Sequence, residues 1–137
     1  MAGQLTIDTL KTSSGVFNSN NAISGFCNAW VLFVGSSGSV VTSFNVSSVT
    51  RSGVGIWQMN FTTAMPDSNF AVVTGISSFS PNNGAITGLQ VRPQNSGSGT
   101  TGGSVGTGKS TTYVQLQSAN YANTMNDNAE NYVAIFR

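Results

Sequence analysis

There is no histidine in this chain of 137 residues. That removes the commonest general base and the commonest nitrogen ligand for metals. There is one cysteine, Cys27, so no intrachain disulfide can form. A catalytic thiol at Cys27 would have no imidazole to activate it. Beside Phe26 and near Trp30, Cys27 reads as a small buried hydrophobe. Charge is scarce: five basic and four acidic residues make up 7% of the chain, against about 25% in an ordinary soluble domain. Five scattered cations build no phosphate-binding stripe, so nucleic acid is not an expected partner. A net charge of +1 leaves little repulsion between copies, which permits self-association. No apolar run approaches the roughly 18 residues of a membrane helix, so membrane insertion is not expected. The opening residues MAGQLTIDTL hold no basic stretch followed by an apolar one, so no secretory signal is expected. The Asn-Val-Ser at Asn45 and Asn-Phe-Thr at Asn60 therefore carry no weight as glycan acceptors.

What fills the chain is serine, threonine, asparagine and glycine, with valine and aromatic residues recurring at short intervals. Such spacing suits a β-protein with a neutral polar surface rather than a disordered chain. Gln4 to Leu10 alternates as a short strand, and Lys11 to Gly15 reads as a turn. Ala29 to Val34 is almost continuously apolar, which fits a strand buried on both faces or between subunits. Val40 to Arg51 alternates with a break at Ser47-Ser48 that suggests a bulge. Gly55 to Thr62 sets Trp57, Met59 and Phe61 against Ile56, Gln58 and Asn60, and makes a hairpin with the preceding segment. Met65-Pro66-Asp67-Ser68 is a turn in which Asp67 can bond the backbone two residues on. Further strands are expected over Phe70 to Ile76, Ala85 to Val91, Thr111 to Ser118 and Tyr132 to Phe136. Gln94 to Lys109 is a long Gly/Ser/Thr loop, and Ala119 to Asn131 is polar and irregular. The fold class is all-β, an antiparallel β-sandwich or barrel-like domain of about seven to eight short strands with no substantial helix. Residues 1–26 are expected to form an N-terminal arm or first strand, and residues 27–137 the domain.

Candidate sites are few. Gly103-Ser104-Val105-Gly106-Thr107-Gly108-Lys109-Ser110 satisfies the phosphate-loop pattern. That loop needs a buried strand before it and a helix after it, whose N–H groups cradle phosphate. Here Asn95 to Gly102 is polar and Thr111 to Gln117 alternates like a strand, so Gly103, Gly108, Lys109 and Ser110 are read as a surface loop. No cofactor is expected. The acids are Asp8, Asp67, Asp127 and Glu130. Asp127 and Glu130 in NTMNDNAENY fit no calcium loop and read as a solvated turn, so no metal site is expected. A glycosidase needs two carboxylates flanking a sugar, and Asp67 serves better as a turn residue. No catalytic residue is assigned. Trp30 and Trp57 read as core aromatics, while Tyr121 lies in polar surroundings suited to an exposed contact.

The stretches AW-V-F, SFNVSSVTRSGVG and NFTTAMPDSNFAVV resemble a β-domain found in the tail-fibre and virion structural proteins of tailed bacteriophages. NAISGFCNAW and YVAIFR resemble the flanks of that domain. The resemblance implies a non-enzymatic virion protein, usually a homotrimer, often at a fibre tip that touches a host-surface glycan or receptor. Its partners would be further copies of itself and other virion proteins, and its location the tail or particle surface. The domain begins close to Met1 without a long attachment region. That leaves a short fibre, a tip mounted on another protein, or a capsid decoration protein. Host contact is expected in the loops, at Asn82, Asn83, Asn95, Tyr121 and Asn123.

Overall fold

The computed structural model describes residues 9–12, 15–18, 26–77, 88–92, 108–119 and 124–137. These hold ten strands and no helix. They are β1 (Thr9–Thr12), β2 (Gly15–Asn18), β3 (Cys27–Val34), β4 (Val40–Phe44) and β5 (Val46–Gly53). There follow β6 (Ile56–Phe61), β7 (Ala71–Ser77), β8 (Gly88–Val91), β9 (Tyr113–Ala119) and β10 (Glu130–Phe136). The first two pair only with each other, in a small antiparallel hairpin. The other eight form two four-stranded antiparallel sheets, β4-β3-β10-β7 and β5-β6-β9-β8. The fold is an all-β sandwich.

The core lies between the sheets. Strand alternation sends every second side chain inward. From the first sheet come Ala29, Val31, Phe33, Val133 and Ile135; from the second come Trp57, Met59, Phe61, Val114 and Leu116. Phe33 and Trp57 meet edge to face across the gap, centroids 5.7 Å apart. Phe61 and Phe70 pack the same way at 5.8 Å. The indole N–H of Trp57 donates to the Gly35 carbonyl at 2.8 Å, so the buried ring leaves no polar atom unpaired.

The chain passes from one sheet to the other at Asn45. The segment Val40 to Arg51, expected as one strand with a bulge, is two strands in different sheets. The bulge is there, as a register shift between Val46 and Ser48, but the turn of the chain comes just before it. Asn45 has φ of 54°, the left-handed region that asparagine tolerates better than most residues. Its side chain fixes the corner: Nδ2 donates to the Asn28 and Thr63 carbonyls at 3.1 and 3.2 Å. Its Oδ1 accepts from the Thr63 N–H at 2.7 Å. On the opposite edge, the Thr74 hydroxyl of β7 donates to the Leu89 carbonyl of β8 at 2.5 Å. The two sheets are thus tied along both sides.

Three other expectations need correction. Lys11, Thr12 and Gly15 belong to the paired strands β1 and β2, so the turn expected over Lys11 to Gly15 is narrower. Strand β3 is not buried on both faces within the chain: Ala29, Val31 and Phe33 point into the core, while Trp30 on the other face is exposed. Cys27, expected in the core, is half-buried at the start of β3 with its thiol 3.2 Å from the Ala29 carbonyl.

Candidate functional site

Cross-strand register decides what the outside of each sheet carries. In the first sheet Phe44 pairs with Trp30, Trp30 with Ala134, and Ala134 with Val73. The next outward row runs Thr42, Leu32, Tyr132 and Gly75. Partners in register share a face, so two adjacent rows across all four strands contain no charged residue. Large side chains project from them: Trp30 is 38% exposed, Phe44 54%, Val73 57% and Tyr132 41%. Between these projections lies a shallow groove of about 530 Å³, floored by small residues such as Gly75 and Ala134. At one end of this face lies Glu130, whose carboxylate accepts the Tyr132 hydroxyl at 2.7 Å. That hydrogen bond, followed by burial and the nearby charge, raises the Tyr132 pKa above the ordinary phenol value.

The outside of the second sheet is different. Thr50, Gln58 and Gln115 share one row; Ser48, Asn60 and Tyr113 share another. Their polar groups bond one another. Gln115 Nε2 donates to Gln58 Oε1 at 3.5 Å, Gln58 Nε2 to Asn60 Oδ1 at 2.7 Å, and Asn60 Nδ2 to Ser48 Oγ at 3.0 Å. One domain therefore presents a hydrogen-bonded amide face on one side and an apolar face on the other.

Asp127 and Asp67 sit in structural roles. Asp127 is not in a solvated turn. Its carboxylate accepts from Arg51 Nη2 at 2.6 Å, Arg51 Nε at 3.3 Å and the Gly55 N–H at 2.8 Å. Burial pushes its pKa up, but the hydrogen bonds and charge of Arg51 and the Gly55 N–H outweigh that and hold it below the usual carboxylate range. Gly55 has φ of 66°, and a Cβ there would lie 2.5 Å from the Ser118 carbonyl oxygen. The segment around Asp127 is thus clamped against the β5–β6 turn. Asp67 accepts the Asn69 N–H at 2.7 Å, two residues on, and also pairs with Arg137.

Of the phosphate-loop residues, Gly108, Lys109 and Ser110 are described and Gly103 lies outside the described residues. Lys109 Nζ donates to the Phe70 carbonyl at 3.0 Å and stands 5.1 Å above the Phe70 ring. The chain then enters β9, a strand, where a phosphate loop would open a helix. The expected contact residues Asn82, Asn83, Asn95, Tyr121 and Asn123 all lie outside the described residues.

No family model, curated protein or solved structure matches this chain. What the site can do is therefore set by its side chains. The outer face of β4-β3-β10-β7 offers rings, aliphatics and a phenol, which suit the burial of another apolar surface. Phe44 and Val73 were not singled out from the sequence. The available signal was in Ala29 to Val34 and in Tyr132 to Phe136: both are apolar at odd and even positions, so both faces of two central strands are hydrophobic.

Proposed function

We propose that this chain is a non-enzymatic structural domain of a phage virion that works as a homo-oligomer, as a trimeric tail-fibre or fibre-tip domain meeting the host surface. One observation carries the reading: an apolar outer face spans all four strands of one sheet, on a domain whose other outer face is amide and hydroxyl. A domain that worked alone would leave this face in water, and one that worked assembled would bury it. The scarcity of charge and the resemblance of FNVSSVT and TTAMPD to phage β-domains agree with an assembled life. Host contact belongs to the segments bearing Asn82, Asn83, Asn95, Tyr121 and Asn123, where neutral amides and a ring suit a glycan. Copies held together multiply weak sites of that kind.

Imaging the intact particle tests the assignment directly, with density for this domain expected on the tail. Purified protein should bind host cells and reduce adsorption of the phage; failure of both would sink the host-contact part. Host polysaccharide incubated with it should release no oligosaccharide. A second reading, a capsid decoration protein, draws on the same apolar face, because a one-sided sheet can seat on a lattice. A copy number that follows the capsid lattice rather than the tail would favour it.

A further inference from the structure

The outer face of β4-β3-β10-β7 has features that narrow what covers it. Its four most projecting side chains, Trp30, Phe44, Val73 and Tyr132, are each between 38% and 57% exposed. Together they leave roughly 400 Å² of mostly apolar surface in water, by the usual sizes of such side chains. A homodimer interface of about 800 Å² a side that is about 65% apolar needs roughly 500 Å² of apolar surface. Leu32, Ala134 and Phe136, half-buried on the same outward face, supply the remainder. The face thus has close to the area that self-association requires.

Its chemistry points the same way. The two central rows have no formal charge, and the nearby carboxylate of Glu130 is engaged by Tyr132. A charged partner would lose water here without gaining a counter-ion, whereas a second neutral apolar face loses nothing. The face also carries both halves of a fit. Rings project at Trp30 and Tyr132, and a groove of about 530 Å³ lies beside them over Gly75 and Ala134. We infer that copies of this chain pack on one another through the outer face of β4-β3-β10-β7, with the projecting rings of one copy entering the groove of the next. This rests on the assembled reading proposed above and names the surface that performs it.

The test uses the whole chain. Sedimentation equilibrium gives the mass of the wild type and of Val73→Lys, Phe44→Lys and Thr50→Lys. The first two place a cation on the apolar face at exposed edge strands; Thr50 lies on the opposite sheet and serves as control. Circular dichroism and a thermal melt confirm that each variant is folded. The expected result is an oligomeric wild type and Thr50→Lys, with Val73→Lys and Phe44→Lys folded but reduced to the mass of one chain. Acrylamide quenching of tryptophan fluorescence gives a second readout independent of mutation. Trp57 is fully buried, so quenching reports Trp30, and it should rise several-fold as the wild type is diluted into monomers. An oligomer that survives both lysine variants overturns the inference while leaving an assembled virion domain standing. A wild type that is monomeric at every concentration, with Trp30 always open to acrylamide, overturns both.

Discussion

Asn45 shows how much a single residue decides here. It occupies a left-handed backbone position at the corner between the sheets, and its amide makes three hydrogen bonds to residues on both sides of that corner. Asn45→Ala combines a left-handed penalty of about 1 kcal/mol with the loss of bonds worth about 1 kcal/mol each. We expect it to lower stability by roughly 2 to 4 kcal/mol in urea titration, with Asn45→Gly recovering the backbone part alone. Asp127 has a different kind of influence, through pH. Its folded pKa lies below the unfolded value of about 3.9. Its contribution is therefore fully present above that unfolded value and is lost as pH falls through the lowered folded value. Melting temperature measured from neutral pH down to strong acid should fall less steeply in Asp127→Asn than in the wild type. The variant should also be less stable at neutral pH. Equal slopes would remove Asp127 from the acid response.

Among the elements, β3 is the one on which both core and surface depend. Val31 and Phe33 lie inside the sandwich, 2% and 0% exposed, while Trp30 of the same strand faces outward. Val31→Asp or Phe33→Asp puts a carboxylate into the core with no partner, which costs several kcal/mol and exceeds what a domain of this size can spare. Each is expected to abolish cooperative unfolding and dispersed amide resonances; a variant that remains folded would mean that β3 is not a core strand. Most strands were legible because their alternation is local: Trp57, Met59 and Phe61 against Ile56, Gln58 and Asn60 gives β6 directly. The Asp67 turn was legible for the same reason, since its bond to the Asn69 N–H spans two residues. The switch of sheets at Asn45 was not, because the apolar alternation of the sequence runs on through Phe44 and Val46 although Phe44 faces outward and Val46 packs against the core. The pairing of Asp127 with Arg51 was equally hidden, since the two are 76 positions apart.

At the scale of the whole molecule, closure comes late in the chain. The last strand, β10, lies between β3 and β7, and β9 lies between β6 and β8. Neither sheet is continuous without a strand from the C-terminal third. A chain ending at Ala129 would leave β3 and β7 without the partner that joins them, exposing Val31 and Phe33 and removing Val133 and Ile135 from the core. It should show no cooperative melt by calorimetry. Retention of a wild-type transition would show that the second sheet folds independently. Pairings this distant in sequence also predict slow folding compared with a helical domain of equal length.

The sequence by itself determined the class of fold, the positions of most strands and turns, and a surface poor in charge, because these follow from side-chain alternation, turn residues and composition within a few positions. The tertiary structure decided which faces met. Trp30 reads as a core residue when β3 is considered alone, since an apolar strand looks the same whether a second sheet covers it or not. Only the register of β4, β3, β10 and β7 shows that Trp30, Phe44, Val73 and Tyr132 lie together on a face that the domain itself leaves uncovered. The reason is physical: burial is a property of what packs against a strand, and that partner lies elsewhere in the chain.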